Sequence, residues 1–199
     1  MEWFASHSGG EPLLTAKIQC PPLCPGVIMR QRLMARLSQG QEQLLSLVIA
    51  PAGYGKTTLL NTWARQLPRP GAWVSLEADD SLPQRFWAYV LAALDAAQPG
   101  VGAAAQLLLG DADSTLDQIL AALLNALAAA QPMTLILDNY HLIQSSCIDE
   151  SLVFLLEHLL QSLHVVLASR SEPLMPLAHW RAADALTELG MRDLGFTYA

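Results

Sequence analysis

Apolar positions along this chain fall into two rhythms. Five short stretches, at 46–50, 72–77, 134–138, 164–170 and 185–189, are dense in Val, Leu, Ile and Ala. That is the pattern of strands covered on both faces of a parallel sheet. Between them the spacing relaxes to three and four, which predicts helices over 30–37, 56–67, 83–97 and 115–130, and another around 150–162. Pro83 is placed to open its helix, and Ser114 to cap the next long one. Residues 98–114, rich in Gly and Ala, predict a loop with one helical piece. Residues 1–26, ending in CPPLCPG, predict an extended lead-in. Strands alternating with helices mean an α/β fold: about five parallel strands in a three-layer sandwich, joined by right-handed crossovers. A length of 199 residues supports one such domain, 27–199, behind the lead-in.

The first strand runs straight into the most informative stretch, LVIAPAGYGKTTLL at 47–60. Pro51 breaks the apolar run, and Gly53 and Gly55 supply the positive φ and bare backbone that a phosphate-wrapping turn requires. Helical spacing resumes at once, with Leu59, Leu60, Trp63, Ala64 and Leu67 on one broad face. The start of that helix directs free N–H groups and positive dipole into the turn. The expected nucleotide-binding run is therefore Ala52, Gly53, Tyr54, Gly55, Lys56, Thr57 and Thr58. Lys56 is expected to reach the β- and γ-phosphates, and the Thr57 hydroxyl to ligate Mg²⁺. The run matches G-x-x-x-x-G-K-[ST] with one departure, Ala50 in place of the first Gly. Ala is the smallest substitute, so the loop is expected to survive.

Composition sharpens this reading. Of 11 basic residues nine are Arg, and only Lys17 and Lys56 are Lys. A chain that uses Arg nearly everywhere has a Lys where a compact ammonium must slip between phosphates. The net charge of −7 argues against a nucleic-acid surface, and the Arg30, Arg32, Arg36 trio reads as the exposed side of a short helix. The longest apolar run, 119–130, contains Asn125 and is too short to span a membrane. The N-terminus shows no basic segment followed by an apolar core, so a cytoplasmic protein is expected. Three Cys residues suit a reducing compartment with free, mostly buried thiols. Cys20 and Cys24 lack the second pair that a zinc site would need.

A phosphate cradle needs a metal carboxylate, and TLILDNYHLI at 134–143 offers Asp138 at the carboxyl end of a buried strand. There it could hold Mg²⁺ beside Thr57. Asn139 follows, where many P-loop ATPases carry a second acid that polarises the attacking water. An amide takes no proton, so hydrolysis should suffer more than binding. VVLASR places Ser169 and Arg170 at the next strand end, where Arg170 could sense the γ-phosphate. His141 reads as packing in the turn after the strand rather than as chemistry.

Taken together, APAGYGKTTLL, WVSLEADDSLPQRFWAYVLAAL, LILDNYHLI, LHVVLASRSEPLMPLAHWRA and ELGMRDLGFT resemble the ATPase domain of MalT-type regulators. These are large ATP-binding regulators of the LuxR family, within the STAND signal-transduction ATPases. The resemblance runs from about Thr15 to Thr197. It implies an adenine pocket lined by Val27 to Arg30, including Ile28, phosphates on Gly53 to Thr58, magnesium at Asp138 and a γ-phosphate sensor at Arg170. It also implies a switch, in which ATP favours an oligomerising form and ADP a closed monomer. Two residues depart from the family pattern: Asn139 replaces the second acid, and Gly195 stands where Arg is usual. The family continues into winged-helix, repeat and helix-turn-helix domains beyond the equivalent of Ala199. Self-association or regulatory domains of a longer protein are thus the expected partners.

The leading expectation is an ATP/ADP-binding switch domain with slow hydrolysis. A small-molecule or nucleotide kinase is the second, although 98–114 has no Arg to form an acceptor lid. A non-hydrolysing nucleotide-binding interaction module is the third.

Overall fold

The computed structural model describes residues 12–23, 25–159 and 162–195. In chain order the elements are α1 (Gln31–Gln39), β1 (Leu45–Ile49), α2 (Lys56–Ala64), β2 (Gly71–Ser75) and α3 (Pro83–Ala97). There follow α4 (Ala103–Leu109), α5 (Leu116–Ala129), β3 (Met133–Asp138), α6 (Ser146–His158) and β4 (Leu163–Ser169). The last are α7 (Leu177–Ala182), β5 (Leu186–Leu189) and α8 (Met191–Leu194). All strand pairs are parallel, in the order β2-β3-β4-β1-β5.

Alternation along each strand divides the core into two layers. Leu45 and Leu47 of β1, with Leu135 and Leu137 of β3 and Val165 and Leu167 of β4, face a layer built with α3, α4, α5 and α6. Val48, Ile136, Val166 and Ala168 face the other layer, where Leu33 and Leu37 of α1 meet Leu59, Leu60 and Trp63 of α2. This sandwich explains the unbroken apolar runs, because both faces of β3 and β4 are covered and every residue in them is buried. Its parallel strands all deliver their carboxyl ends to one edge, where β1, β3 and β4 release the loops that matter below.

Several boundaries differ from the sequence reading. α2 ends at Ala64 rather than near 67, and α6 begins at Ser146 rather than near 150. Thr115, not Ser114, caps α5: its hydroxyl accepts from the Gln118 N–H, while the Gln118 side chain accepts from the Thr115 N–H. The Ser114 hydroxyl instead donates to Asp111. Part of the expected lead-in is docked. Residues Thr15–Ile18 form a 3-10 turn, and the buried Lys17 ammonium pairs with Asp80, lies 3.3 Å from Glu77 and sits over the Tyr89 ring. Farther on, the Pro21 carbonyl accepts from Asn61 of α2 and from Arg65, the residue that follows the helix.

The arginine trio is not simply a solvated face. Arg30, Arg32 and Arg36 all donate to the C-terminal turn around α8. Cys20 and Cys147 are free and half-buried rather than buried. Cys24 lies outside the described residues, as do 1–11 and 196–199. Among the described residues no group of three or more His, Cys, Asp or Glu could hold a metal ion. No helix among them is long and apolar enough to cross a membrane.

Candidate functional site

At the carboxyl end of β1 the chain makes an open turn from Pro51 to Gly55. Gly53 (φ 84°) and Gly55 (φ 75°) both occupy the left-handed region, so the backbone bends there without Cβ strain. Gly55 caps α2, whose first-turn N–H groups have no intrahelical partner and face the turn. Lys56, the first residue of the helix, folds back over the loop, and its Nζ donates to the carbonyls of Ala50 (2.6 Å) and Pro51 (3.1 Å). Ala50 is itself buried in the layer beneath, so a methyl is accommodated where the motif usually has Gly.

Across from the loop, Asp138 ends β3. Its Oδ2 accepts from the Thr57 hydroxyl at 2.8 Å, and its Oδ1 from the Asn139 N–H at 3.0 Å. The carboxyl is nearly inaccessible. Burial pushes its pKa above the usual carboxylate range, and the bonds from Thr57 and Asn139 and the charge of Lys56 oppose that shift. The Lys56 pKa is lowered, first by burial and then by Arg170, against the pull of Asp138. Lys56 thus feels the positive charge of Arg170 and the negative charge of Asp138 together, and an anion bound at Lys56 would offset the repulsion from Arg170.

Arg170 follows β4 directly and is exposed. Asn139 is one of two non-glycine residues at positive φ among those described (φ 63°, ψ 34°), a conformation that Asn tolerates better than most residues. His141, read from the sequence as packing, does sit in the turn after β3. It also lies within the fields of Arg170 and Lys56, which, after burial, hold its pKa below the ordinary imidazole value. Both its ring nitrogens are buried without a hydrogen-bond partner among the described residues. No sequence signal distinguished this placement from plain packing. Beside this turn a cleft of about 440 Å³ opens between Tyr140, His141, the start of α6 and the loop after β4. The phosphate loop itself does not line it.

On the far side of the loop lies the segment before α1. Val27 is half-buried, while Ile28 and Met29 are exposed, Ile28 at 71%. The Arg30 guanidinium lies against the loop: Nη1 donates to the Tyr54 carbonyl at 3.4 Å, and Nη2 is 3.8 Å from where a Cβ on Gly55 would stand. The structure therefore brings Arg30, Tyr54, Gly55, Lys56, Thr57 and Asp138 into one contiguous group. Arg170 and Asn139 stand on its margin, and Thr58 is exposed on the first turn of α2.

A five-stranded parallel sheet with a Gly-Lys-Thr turn after its first strand and an Asp at the end of the third defines the P-loop NTPase class. The protein belongs to the AAA ATPase domain family, whose model matches residues 29–174. Over 188 residues it is 36% identical to the HTH-type transcriptional regulator MalT of Cronobacter sakazakii and to that of Serratia proteamaculans. These matches cover 94% of this chain, which spans about a fifth (21%) of the length of those relatives. Among solved structures, a Signal Transduction ATPase with Numerous Domains protein with a tetratricopeptide repeat sensor, PH0952 from Pyrococcus horikoshii, shares the fold. It aligns at a TM-score of 0.54 and 15% identity, covering 85% of this chain and 24% of that one.

Proposed function

We propose that this domain binds ATP and ADP with Mg²⁺ and serves as the nucleotide switch of a MalT-type transcriptional regulator working in the cytoplasm, hydrolysing ATP slowly. The observation that carries the reading is the 2.8 Å contact between Thr57 Oγ1 and Asp138 Oδ2 at the mouth of the phosphate loop. A hydroxyl and a carboxylate brought together at a helix N-terminus are the hard oxygen donors that Mg²⁺ takes, with substrate phosphates and water completing its shell. The residues present fit the ion, and Thr57 and Asp138 would hold it. When bound, Mg²⁺ neutralises charge on the β- and γ-phosphate oxygens.

This chain's own residues supply the rest. The N–H groups of Gly53 to Thr58 wrap the phosphates, and Lys56 exchanges a loop carbonyl for a phosphate oxygen. Arg170 meets the γ-phosphate, Val27 and Ile28 flank the base side, and Arg30 stands between the base and the phosphates, its guanidinium against the loop. Asn139 orients a water by hydrogen bonding without accepting its proton, which makes turnover slow. A kinase reading is less well supported, because residues 98–114 pack through α4 against α5 and α3 rather than forming a lid.

The Mg²⁺ dependence of binding tests this directly. Wild-type protein is expected to lose ATP affinity when the metal is chelated, and Thr57→Ala is expected to bind equally with and without it. Wild-type affinity that ignores chelation would contradict the assignment of Thr57 and Asp138.

A further inference from the structure

One guanidinium touches both the phosphate loop and the C-terminal turn. Arg30 Nη1 donates to the Leu194 carbonyl at 2.7 Å while also lying 3.4 Å from the Tyr54 carbonyl. Leu194 is the last residue of α8, 164 positions away along the chain. Two more arginines from α1 grip the same turn: Arg32 reaches the Asp193 carbonyl, and Arg36 reaches the Asp193 carboxylate at 2.5 Å and the Glu188 carbonyl at 2.8 Å. Asp193 also accepts from the Gly190 N–H, which closes the turn on itself. Beneath these polar contacts Leu194 is buried with Leu33 and Leu37 of α1 and Leu59 of α2. A four-residue helix has little stability of its own. Its position is set by this arginine latch and by one buried leucine.

We propose that Arg30 couples the occupancy of the phosphate loop to the docking of the β5–α8 turn, nucleotide phosphate and the Leu194 carbonyl competing for the same guanidinium. The inference rests on the nucleotide-binding reading above. Its physical basis is the difference between two acceptors. The Leu194 carbonyl is a neutral dipole with one oxygen, whereas a nucleotide phosphate beside Tyr54 and Gly55 is an anion that offers a full opposite charge and several acceptor oxygens to the same guanidinium. A guanidinium already lying along the loop needs only a small rotation to turn from one to the other. Once it does, the turn keeps Arg32 and Arg36 but loses its link to the loop. Coupling of this kind is reciprocal: whatever loosens the turn must tighten nucleotide binding by the same factor. The element receiving the signal directly follows β5, so the nucleotide state is carried to the edge strand of the sheet.

Hydrogen exchange of the Asp193, Leu194 and Gly195 amides, all bonded within the turn, is the direct test. Saturating Mg-ADP or Mg-ATP should accelerate their exchange about fivefold or more, the lower range of measured allosteric couplings. Nucleotide affinity measured on the same samples by calorimetry keeps the two readings apart. Arg36→Gln, which weakens the latch from a residue outside the nucleotide site, should accelerate the same amides without ligand and tighten nucleotide binding. Nucleotide that binds while these amides exchange at an unchanged or slower rate overturns the coupling and leaves the nucleotide-binding reading intact. Wild-type protein that binds no nucleotide overturns both.

Discussion

Two residues with unusual surroundings carry the sharpest single-site expectations. Asn139 sits at φ 63°, a region that Asp tolerates about as well as Asn, so Asn139→Asp should restore an acid without distorting the turn. The variant is expected to raise the single-turnover rate of ATP hydrolysis at least tenfold, towards the roughly 10²–10⁴-fold that general-base assistance supplies. ATP affinity should stay nearly constant. An unchanged rate would show that Asn139 does not limit turnover.

His164 lies at the opposite end of the sheet, on β4 beside Thr134 of β3. Its Nδ1 hydrogen-bonds the Gln43 carbonyl at 2.8 Å, so that nitrogen carries the proton, and Nε2 is buried without a partner among the described residues. Burial pushes its pKa down from 6.5 to about 4, against the pull of that bond. The folded state therefore resists a proton that the unfolded chain accepts. The resulting stability is complete above about pH 6.5 and drains away as the pH falls towards 4. Between pH 7 and pH 5 this residue alone should cost about 2 kcal/mol, from 1.36 kcal/mol per pKa unit. His164→Leu should flatten that part of the stability–pH curve, and an unflattened curve would place the titrating group elsewhere.

Among the elements, the docked 3-10 turn was not announced by the sequence, nor were the short helices α7 and α8. The turn's signal was a lone Lys in a Gly/Pro-rich lead-in, and nothing in the spacing pairs residue 17 with residue 80. The pairing is long-range and depends on the packing of the turn against β2 and α3. Asp80 is wholly buried and is held by Lys17, Arg85 and the Glu77 N–H. Lys17→Met should therefore destabilise the domain by about 2 kcal/mol, within the range for hydrogen bonds to charged groups. Glu42→Gln, in the exposed pair with Arg69, should change it by less than about 0.5 kcal/mol. Equal effects in chemical denaturation would mean that the lead-in is not anchored through this residue. Helix α3 was legible to the residue, because Pro83 fixes its start and the break at Gln98 its end. The start of α6 was not: Ser146 and Cys147 carry no apolar period, and the helix is set by the packing of Ile148 and Leu152. The cap of α5 moved by one position because Gln118 completes a capping box only with Thr115.

At the scale of the whole molecule, the sheet and its three-layer cover could be read from hydrophobic density, since strands buried on both faces leave an unmistakable composition. The order β2-β3-β4-β1-β5 could not be read that way, because strand order is fixed by which helices cross which face. The candidate site was legible where the chemistry is local, in the glycines and Lys56, and at strand ends such as Asp138. It was not legible where it depends on elements far apart in sequence, such as the bridge by Arg30 from Tyr54 to Leu194 and the approach of His141 to Lys56 and Arg170. The central claim is that this assembly binds nucleotide through the loop at 52–58. Titration calorimetry of Mg-ATP into wild type and Lys56→Ala tests it most directly. The account predicts saturable binding to wild type, weakened in the variant by ~1.5–3 kcal/mol, the loss expected for hydrogen bonds to a charged group. Equal affinity of the two proteins, or no binding by wild type, would contradict it.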